Sequence, residues 1–459
     1  MKNYAIILAA GKGTRMKTEL PKCAFPILKK PMIEYILDNV EKSVIDDATL
    51  VVGHKKEIFE EMLQDRVSYA VQAEQLGTGH AVKVCEDILG DKEGETIIML
   101  GDMPLVDYKV IDKAISYHRD RGNDLTIVTT KYDKPKGYGR IIRNDYGNIE
   151  AIVEHRDCST EQKRIKEVNT GIYVVNNKKL FNAVNKIEVN KRKGEFYLTD
   201  IVSIMKDEDL VVGTIELWDS EKVMGINDLY TVSIAERYLR DKINMELMIK
   251  GVYMISPNTI TIGNDVSIEK GVTIYPNTYI TGGSVIKSGA KIGPNTEIHT
   301  SIIHQNVKVK HSLVYDSEIG KNTTVGPFAH LRNGANIGKN NRVGNFVEVK
   351  NSSTGSGTKA AHLAYIGDSE TGKNVNFGCG SITVNYDGVN KHKTIIGDDV
   401  FIGCNTNLVA PVEIGDNVFI AAGSTVTRNV PKGALAIARN RQINKKDYAM
   451  NLIKPKDDN

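Results

Sequence analysis

The amino-acid sequence predicts two unlike folds in one chain, an α/β unit with a Rossmann-like, mostly parallel sheet and then a prism of short parallel strands. Three observations carry that reading. Short apolar runs alternate with helical segments over residues 1 to about 225, the pattern of strands connected by crossover helices. One amphipathic stretch follows, and beyond Gly251 an aliphatic residue recurs at every sixth position, a period that marks a repeat architecture. The length of 459 residues also exceeds what one hydrophobic core usually organises.

In chain order, the runs at 5–8, 50–52, 97–100 and 125–129 read as strands. Those at 5–8 and 97–100 are apolar throughout, as in strands covered on both faces, and belong in the middle of the sheet. The first of them leads into a glycine turn, not a cleavage site, so the N-terminus reads as a buried strand and not as a secretory signal. From 228 to 250, Leu229, Val232, Ala235, Leu239, Ile243 and Leu247 fall at three- and four-residue spacing among charged residues. That is an amphipathic helix ended by Gly251. The expected division is therefore 1–227 for the first domain, 228–250 for a linker helix, and 251–459 for the second domain with its polar tail.

The repeat has three series, Ile262 to Ile298, Ile319 to Val349 and Ile396 to Val426, nineteen positions that are all Ile, Leu or Val. No α-helix or ordinary alternating sheet has this period. It fits three-sided coils of 18 residues in which every sixth side chain points to the axis, nearly ten coils and a rod about 45 Å tall at the ~4.8 Å spacing of strands. Such flat faces favour self-association. Glycines follow many of the aliphatic positions, Gly263, Gly320, Gly338 and Gly403 among them, and are read as corners where the backbone turns. The register is interrupted between 298 and 319 and again after 349, where KNSSTGSGTKAAHLAY at 350–365 reads as a loop thrown out of the prism. The terminal KPKDDN is expected to be disordered.

Composition excludes several classes of function. Sixty Lys+Arg against fifty-seven Asp+Glu, dispersed along the chain, give a formal charge of +3 without a basic stripe, so no nucleic-acid partner is expected. The hydrophobic fraction is 41% with no apolar run near membrane-spanning length, so no membrane span is expected either. Five scattered cysteines without a CxxC pair point to a reducing cytoplasm.

The strand at 5–8 runs into LAAGKGTRM at 8–16, where glycines let backbone N–H groups converge on an anion. A lone GxG is more often an ordinary strand-to-helix turn, and the spacing fits neither a dinucleotide fingerprint nor a P-loop. The added cations Arg15 and Lys22 favour a phosphate site. Asp102, just past an apolar strand end, suits a hard divalent cation, against the plain alternative of a carboxylate capping the next turn.

These pieces, with Gln72 to Gly79, Gly101-Asp102, Gly137 to Arg140, Glu154, Asn169 to Gly171 and Gly225 to Asn227 in order, resemble the sugar-nucleotide pyrophosphorylases. That resemblance implies that Leu8, Ala9, Ala10, Gly11, Lys22, Gln72, Gly77, Thr78, Gly101 and Asp102 hold the nucleotide. It places the sugar phosphate at Gly139, Glu154, Asn169 and Asn227, with Asp102 and Asn227 as ligands of Mg2+. Arg15 and Lys22 would neutralise charge on the transferring phosphorus, and a sugar 1-phosphate, already ionised, needs no general base.

In the second half, KAAHLAYIGD at 359–368, NVNFG at 374–378 and NYDG at 385–388 resemble a hexapeptide-repeat acetyltransferase. Together the two halves resemble the bifunctional N-acetylglucosamine-1-phosphate uridylyltransferase/glucosamine-1-phosphate N-acetyltransferases over essentially the whole chain, whose second half is a left-handed parallel β-helix. The resemblance implies that Arg332, Lys350, Tyr365 and Asn376 bind glucosamine 1-phosphate, and that His362 is the general base for acetyl transfer, a role suited to imidazole. It further implies contacts of acetyl-CoA with Cys379, Asn385, Tyr386, Cys404, Ala422 and Arg439, the Cys379 N–H serving as oxyanion donor. UTP and acetyl-CoA would be the co-substrates, and the prisms would pack as homotrimers. Where the family commonly has a small hydroxyl or alanine, this chain has Cys379 and Cys404. Cys404 reads either as a nucleophile or as a small packing residue, and with no acid partner adjacent in sequence the latter is preferred. A lone histidine in a polar loop is usually just solvated, and the competing function is a single-activity nucleotidyltransferase whose prism serves only assembly or regulation.

Overall fold

A computed structural model describes residues 1–11, 13–190 and 194–452. The polar KPKDDN tail lies outside the described residues. The chain forms two compact units, Met1–Leu239 and Arg240–Asn459, and the helix Leu229–Ile249 contributes to both.

The main sheet of the first unit runs Val212–Leu217, Leu125–Lys131, Glu167–Asn176, Gly94–Leu100, Lys2–Leu8, Asp47–Val52, Ser68–Val71 from edge to edge. All neighbours are parallel except around Glu167–Asn176, which is antiparallel to both of its own. The two all-apolar runs occupy the middle, and Ala5, Ile6, Ile7, Ile97 and Ile98 are fully buried because helices cover both faces. Met32–Lys42 turns Ile33, Ile36, Leu37 and Val40 inward, and Tyr108–Asp120 starts at Asp107, whose carboxylate accepts the Val110 N–H at 3.1 Å. Leu8 and Leu100 end side by side, so a crevice opens at the carboxyl ends of the strands, where ligands of such sheets bind.

The second unit is a three-faced parallel β-helix, and its third face holds nine two- or three-residue strands. Of the nineteen periodic positions, all but the half-buried Ile268 are buried in one continuous core. Most of the associated glycines have ordinary φ. They are required by stacking: a Cβ on Gly320 would stand 2.8 Å from the Gly338 carbonyl carbon, and one on Gly344 1.8 Å from the Ala361 oxygen. Left-handed corners are taken instead by residues such as Asn277, Asn295, Phe328, Phe346 and Leu363.

Two further expectations are corrected. Between 298 and 319 the coil continues through Ile303, Val309 and Val314, with three of the four sides one residue short. Residues 350–365 are not an expelled loop. Ser353–Thr354 and Lys359–Gly367 are strands of the prism, the latter pairing with Arg342–Lys350. The aliphatic pattern fails there because Thr354 and Ala360 fill core positions, the threonine hydroxyl accepting from the buried Asn341 amide at 2.7 Å. The excursion instead spans 385–393, between Ile382–Val384 and Thr394–Ile396, closed on itself by a Tyr386–Lys391 bridge.

Candidate functional site

The glycine turn after Lys2–Leu8 forms one wall of a cavity of about 230 Å³ lined by Leu8, Gly11, Gly13, Arg15, Lys22 and Asp102, among others. Gly13 has φ +60°, and a Cβ there would stand 2.6 Å from that of Lys22, so only glycine lets the lysine close over the turn. Lys12, within this motif, lies outside the described residues. The Lys22 ammonium hydrogen-bonds Asp102 Oδ2 and, at 2.8 Å, Asn227 Oδ1. Asp102 Oδ1 is buried without a hydrogen-bond partner. Two residues 80 and 205 positions from Lys22 thus meet it at the cavity, brought there by the Ile226 N–H bonding the Asp102 carbonyl at 2.9 Å. Cys23, in the same wall, is a poor nucleophile: burial, reinforced by the Asp102 charge, pushes its thiol up to about 12.

Gln72 is buried and donates to the Gly77 carbonyl at 3.0 Å, while Gln75 donates to that of Ala10 at 2.6 Å. These bonds tie the 72–78 segment to the glycine turn. The Thr78 hydroxyl accepts the Leu198 N–H at 3.0 Å, so it positions the neighbouring chain.

A contiguous cavity of about 260 Å³ shares Arg15, Asp102 and Asn227 and is lined further by Gly139, Glu154 and Asn169. A Cβ on Gly139 would lie 3.5 Å from Glu154 Oε1 and 3.7 Å from the Asn169 Cβ. Asn169 is held by its own N–H to the Gly139 carbonyl at 2.9 Å, by Gly171 N–H to its Oδ1 at 3.0 Å, and by its amide to Tyr173 Oη at 2.6 Å. Of the residues read from the sequence, Leu8, Ala9, Gly11, Lys22 and Asp102 on the nucleotide side and Gly139, Glu154, Asn169 and Asn227 on the sugar side line these two cavities, whereas Ala10, Gln72, Gly77, Thr78 and Gly101 line neither. Tyr138, which lines the second, and Tyr197 and Asp200, which with Glu154 line a third of about 400 Å³, were missed as site residues. Tyr138 lay within a recognised motif; the other two carried no motif.

In the second unit, Asn345 and His362 are register partners, with Asn345 Oδ1 2.9 Å from His362 Nδ1 on the exposed surface of a corner. An amide oxygen there fixes Nδ1 as the N–H and leaves the Nε2 lone pair outward, the arrangement a base requires. Successive coils put Cys379, Cys404 and Ala422 at the same corner: Gly380 N–H bonds the Leu363 carbonyl at 2.6 Å, Asn405 N–H that of Cys379 at 2.8 Å, and Gly423 N–H that of Cys404 at 2.8 Å. The Arg439 side chain would lie 3.8 Å from a Cβ on Gly423. Three residues assigned to acetyl-CoA thus form one column continuing from His362, with Arg439 near its end.

On the face after that corner, Arg332, Lys350 and Gly367 are register partners. Tyr365 folds over Gly367, where a Cβ would stand 2.4 Å from its hydroxyl. Arg332 hydrogen-bonds Glu348 at 2.7 Å. Asn385 is buried and donates its amide to Tyr365 Oη at 3.4 Å and to Asp368, so its amide faces the Tyr365 cluster, not the cysteine column. Tyr386 is exposed on the excursion. Asn376, paired with Lys359, stands on the face before the corner. Burial pushes Asp368 up, but amides of Asn351 and Asn385 and the charges of Lys350 and Lys391 outweigh it and hold its carboxyl below the ordinary range. Lys391, which sequence reasoning missed, is pulled below the usual lysine range by the adjacent Lys350. Two ammonium groups thus lie close enough to repel each other, and nothing in the NYDGVNKH segment announced it.

Comparison with known proteins adds three findings. A nucleotidyl transferase family model matches residues 4–219. A bacterial transferase hexapeptide model (six repeats) matches 316–351 and 393–428, on either side of the His362 corner. "Bifunctional protein GlmU" of Acholeplasma laidlawii is 60% identical over 456 residues, 99% of each chain. The proteins of the same name from Caldanaerobacter subterraneus subsp. tengcongensis and Geobacillus sp. are 47% and 45% identical, each covering 98% of both chains.

Proposed function

Since the chain belongs to the family of bifunctional GlmU proteins, a nucleotidyltransferase unit followed by a left-handed parallel β-helix of hexapeptide repeats, we propose that it makes UDP-N-acetylglucosamine in two steps. The β-helix acetylates glucosamine 1-phosphate from acetyl-CoA, and the first unit joins the product to UMP from UTP, releasing pyrophosphate. The observation that carries the acyl half is the Asn345–His362 pair at the head of the Cys379–Cys404–Ala422 column, in the same unit as the adjacent cations Lys350 and Lys391.

In acetyl transfer, Lys350, Lys391 and Arg332 hold the sugar phosphate, with Tyr365 and Asn376 orienting the ring. His362 Nε2 takes a proton from the sugar nitrogen as it attacks the thioester carbonyl, and Asn345 keeps that nitrogen the free one. The Cys379 N–H faces the developing oxyanion, and Arg439 meets the coenzyme phosphates. No acyl-enzyme forms.

In uridylyl transfer the glycine turn, Arg15 and Lys22 bind the triphosphate, and Glu154 and Asn169 orient the acetylated sugar in the joined cavity. The residues fit Mg2+: Asp102 Oδ1 is buried and unpartnered and Asn227 offers an amide oxygen, both hard ligands. Asp102 and Asn227 would hold the cation, which would supply charge neutralisation for departing pyrophosphate. Lys22 and Arg15 meet the triphosphate, and the sugar phosphate attacks in line without a base.

The protein is assigned to the cytoplasm as a homotrimer. The corner residues Phe328 and Phe346 stack at 5.5 Å with planes 8° apart although each is 57% exposed, an apolar edge for a second prism to cover. The test is two assays on one preparation: coenzyme A release with glucosamine 1-phosphate, and pyrophosphate release with UTP and N-acetylglucosamine 1-phosphate. Pyrophosphate release without coenzyme A release would leave the prism a scaffold.

A further inference from the structure

We propose that Cys379 and Cys404 form a reversible dithiol/disulfide pair that switches acetyl transfer off under oxidation, a thiol modification site inside the coenzyme column. The inference rests on the acetyltransferase reading above. The other three thiols are buried, with Cys23 and Cys85 pushed up to about 12 by burial, so they exchange slowly. Cys379 and Cys404 are the exposed pair.

Their placement follows from the stacking of coils. The strands leading to them pair as Asn376↔Phe401 and Phe377↔Ile402. Gly378 N–H bonds the Ile402 carbonyl at 2.8 Å, and a Cβ on Gly378 would stand 2.5 Å from the Cys404 nitrogen. Beyond them, Asn405 N–H bonds the Cys379 carbonyl at 2.8 Å. The two cysteines are thus locked on both sides into equivalent positions of adjacent coils, although 25 residues apart in sequence. Adjacent strands lie about 4.8 Å apart, inside the roughly 4.4–6.8 Å range of Cα separations that disulfides span. Parallel Cβ atoms at that spacing are somewhat wider than the ~3.8 Å a relaxed bridge prefers, so the bond closes with strain and reopens readily.

The oxidant is a low-molecular-weight disulfide. One thiolate attacks its sulfur and expels one small thiol, leaving a mixed disulfide. The second thiolate attacks that protein sulfur, closing the Cys379–Cys404 bond and expelling the second small thiol. The two protein sulfurs are oxidised by two electrons, and the two thiol protons leave on the two released thiols. The closed bridge draws the corner together where the pantetheine arm passes.

The experiment incubates the full chain with oxidised glutathione, then maps disulfides by mass spectrometry and measures both activities before and after dithiothreitol. We expect a Cys379–Cys404 crosslinked peptide, at least tenfold loss of acetyl transfer that dithiothreitol reverses, and uridylyl transfer within twofold. Cys379→Ala and Cys404→Ala, each compared with its own reduced form, should lose less than twofold on the same treatment and give no crosslink. Glutathione adducts without the crosslink, a crosslink that leaves acetyl transfer intact, or equal sensitivity in either variant would overturn the proposal. If the reduced protein had no acetyl transfer at all, the functional reading would fall, while the peptide map would still decide whether the bridge forms.

Discussion

Replacing Lys22 with methionine keeps the aliphatic stem and removes the ammonium that joins Asp102 to Asn227. The lysine and aspartate side chains are 13% and 17% exposed, so the variant leaves a largely buried carboxylate with one oxygen already unpartnered. Breaking a buried pair from one side costs about 3–5 kcal/mol, and the remaining solvent contact brings the expected loss to roughly 2–3 kcal/mol. For a unit of this size that is a fall of about 5–10 °C in the first unit's Tm. Millimolar magnesium should raise the Tm of Lys22→Met more than that of the natural chain, because the cation settles between oxygens no longer held by lysine. Lys22→Met/Asp102→Asn, which removes both charges, should return to within about 1 kcal/mol of the natural protein. Calorimetry with and without magnesium measures all three, and uridylyl transfer should fall at least 100-fold in both variants. A single variant as stable as the natural chain, or a double variant that is simply the sum of two losses, would refute the buried-pair account.

His362→Ala should lose about 100- to 10,000-fold of acetyl transfer with uridylyl transfer intact. Asn345→Ala, which frees the ring tautomer, should lose about tenfold of acetyl transfer with uridylyl transfer intact. Cys404→Ala should retain most acetyl transfer, since no acyl-enzyme forms; a loss matching that of His362→Ala would restore a cysteine nucleophile. Gly367→Ala places a methyl against the Tyr365 hydroxyl, so KM for glucosamine 1-phosphate should rise about fivefold or more while Tm changes little. His118, buried and bonded to Thr126 at 2.9 Å, is pushed down to about 4 by burial. The unfolded chain holds that proton up to about pH 6.5, so unfolding takes up a proton between those values, and stability falls by roughly 3 kcal/mol as pH drops from 6.5 to 4. His118→Gln should flatten that limb of a Tm–pH curve, and an unchanged slope would contradict the assignment.

Much of the architecture was legible because its determinants are local. An inward side chain at every sixth position is a constraint each coil imposes on its own residues, and the central strands declared themselves by being apolar on both faces. The motif from Leu8 to Met16 was readable for the same reason: a strand end, a glycine turn and two cations lie within fifteen residues. The expelled-loop reading of 350–365 failed because threonine and alanine can fill an axis position when a hydroxyl is bonded within the core, as Thr354 is. Composition then looks like a loop although the coil is intact.

Tertiary structure alone decided which distant residues share a site. Coil stacking brings together residues 345, 362, 379, 404 and 422, whose separations of 17, 17, 25 and 18 vary with every shortened side and with the excursion at 385–393. The same excursion folds Lys391 back onto Lys350, a meeting of like charges that no periodicity encodes. Spacing along the chain fixes what a residue does within its own turn of backbone; contacts between turns depend on how much chain each turn consumes, and that is set by packing.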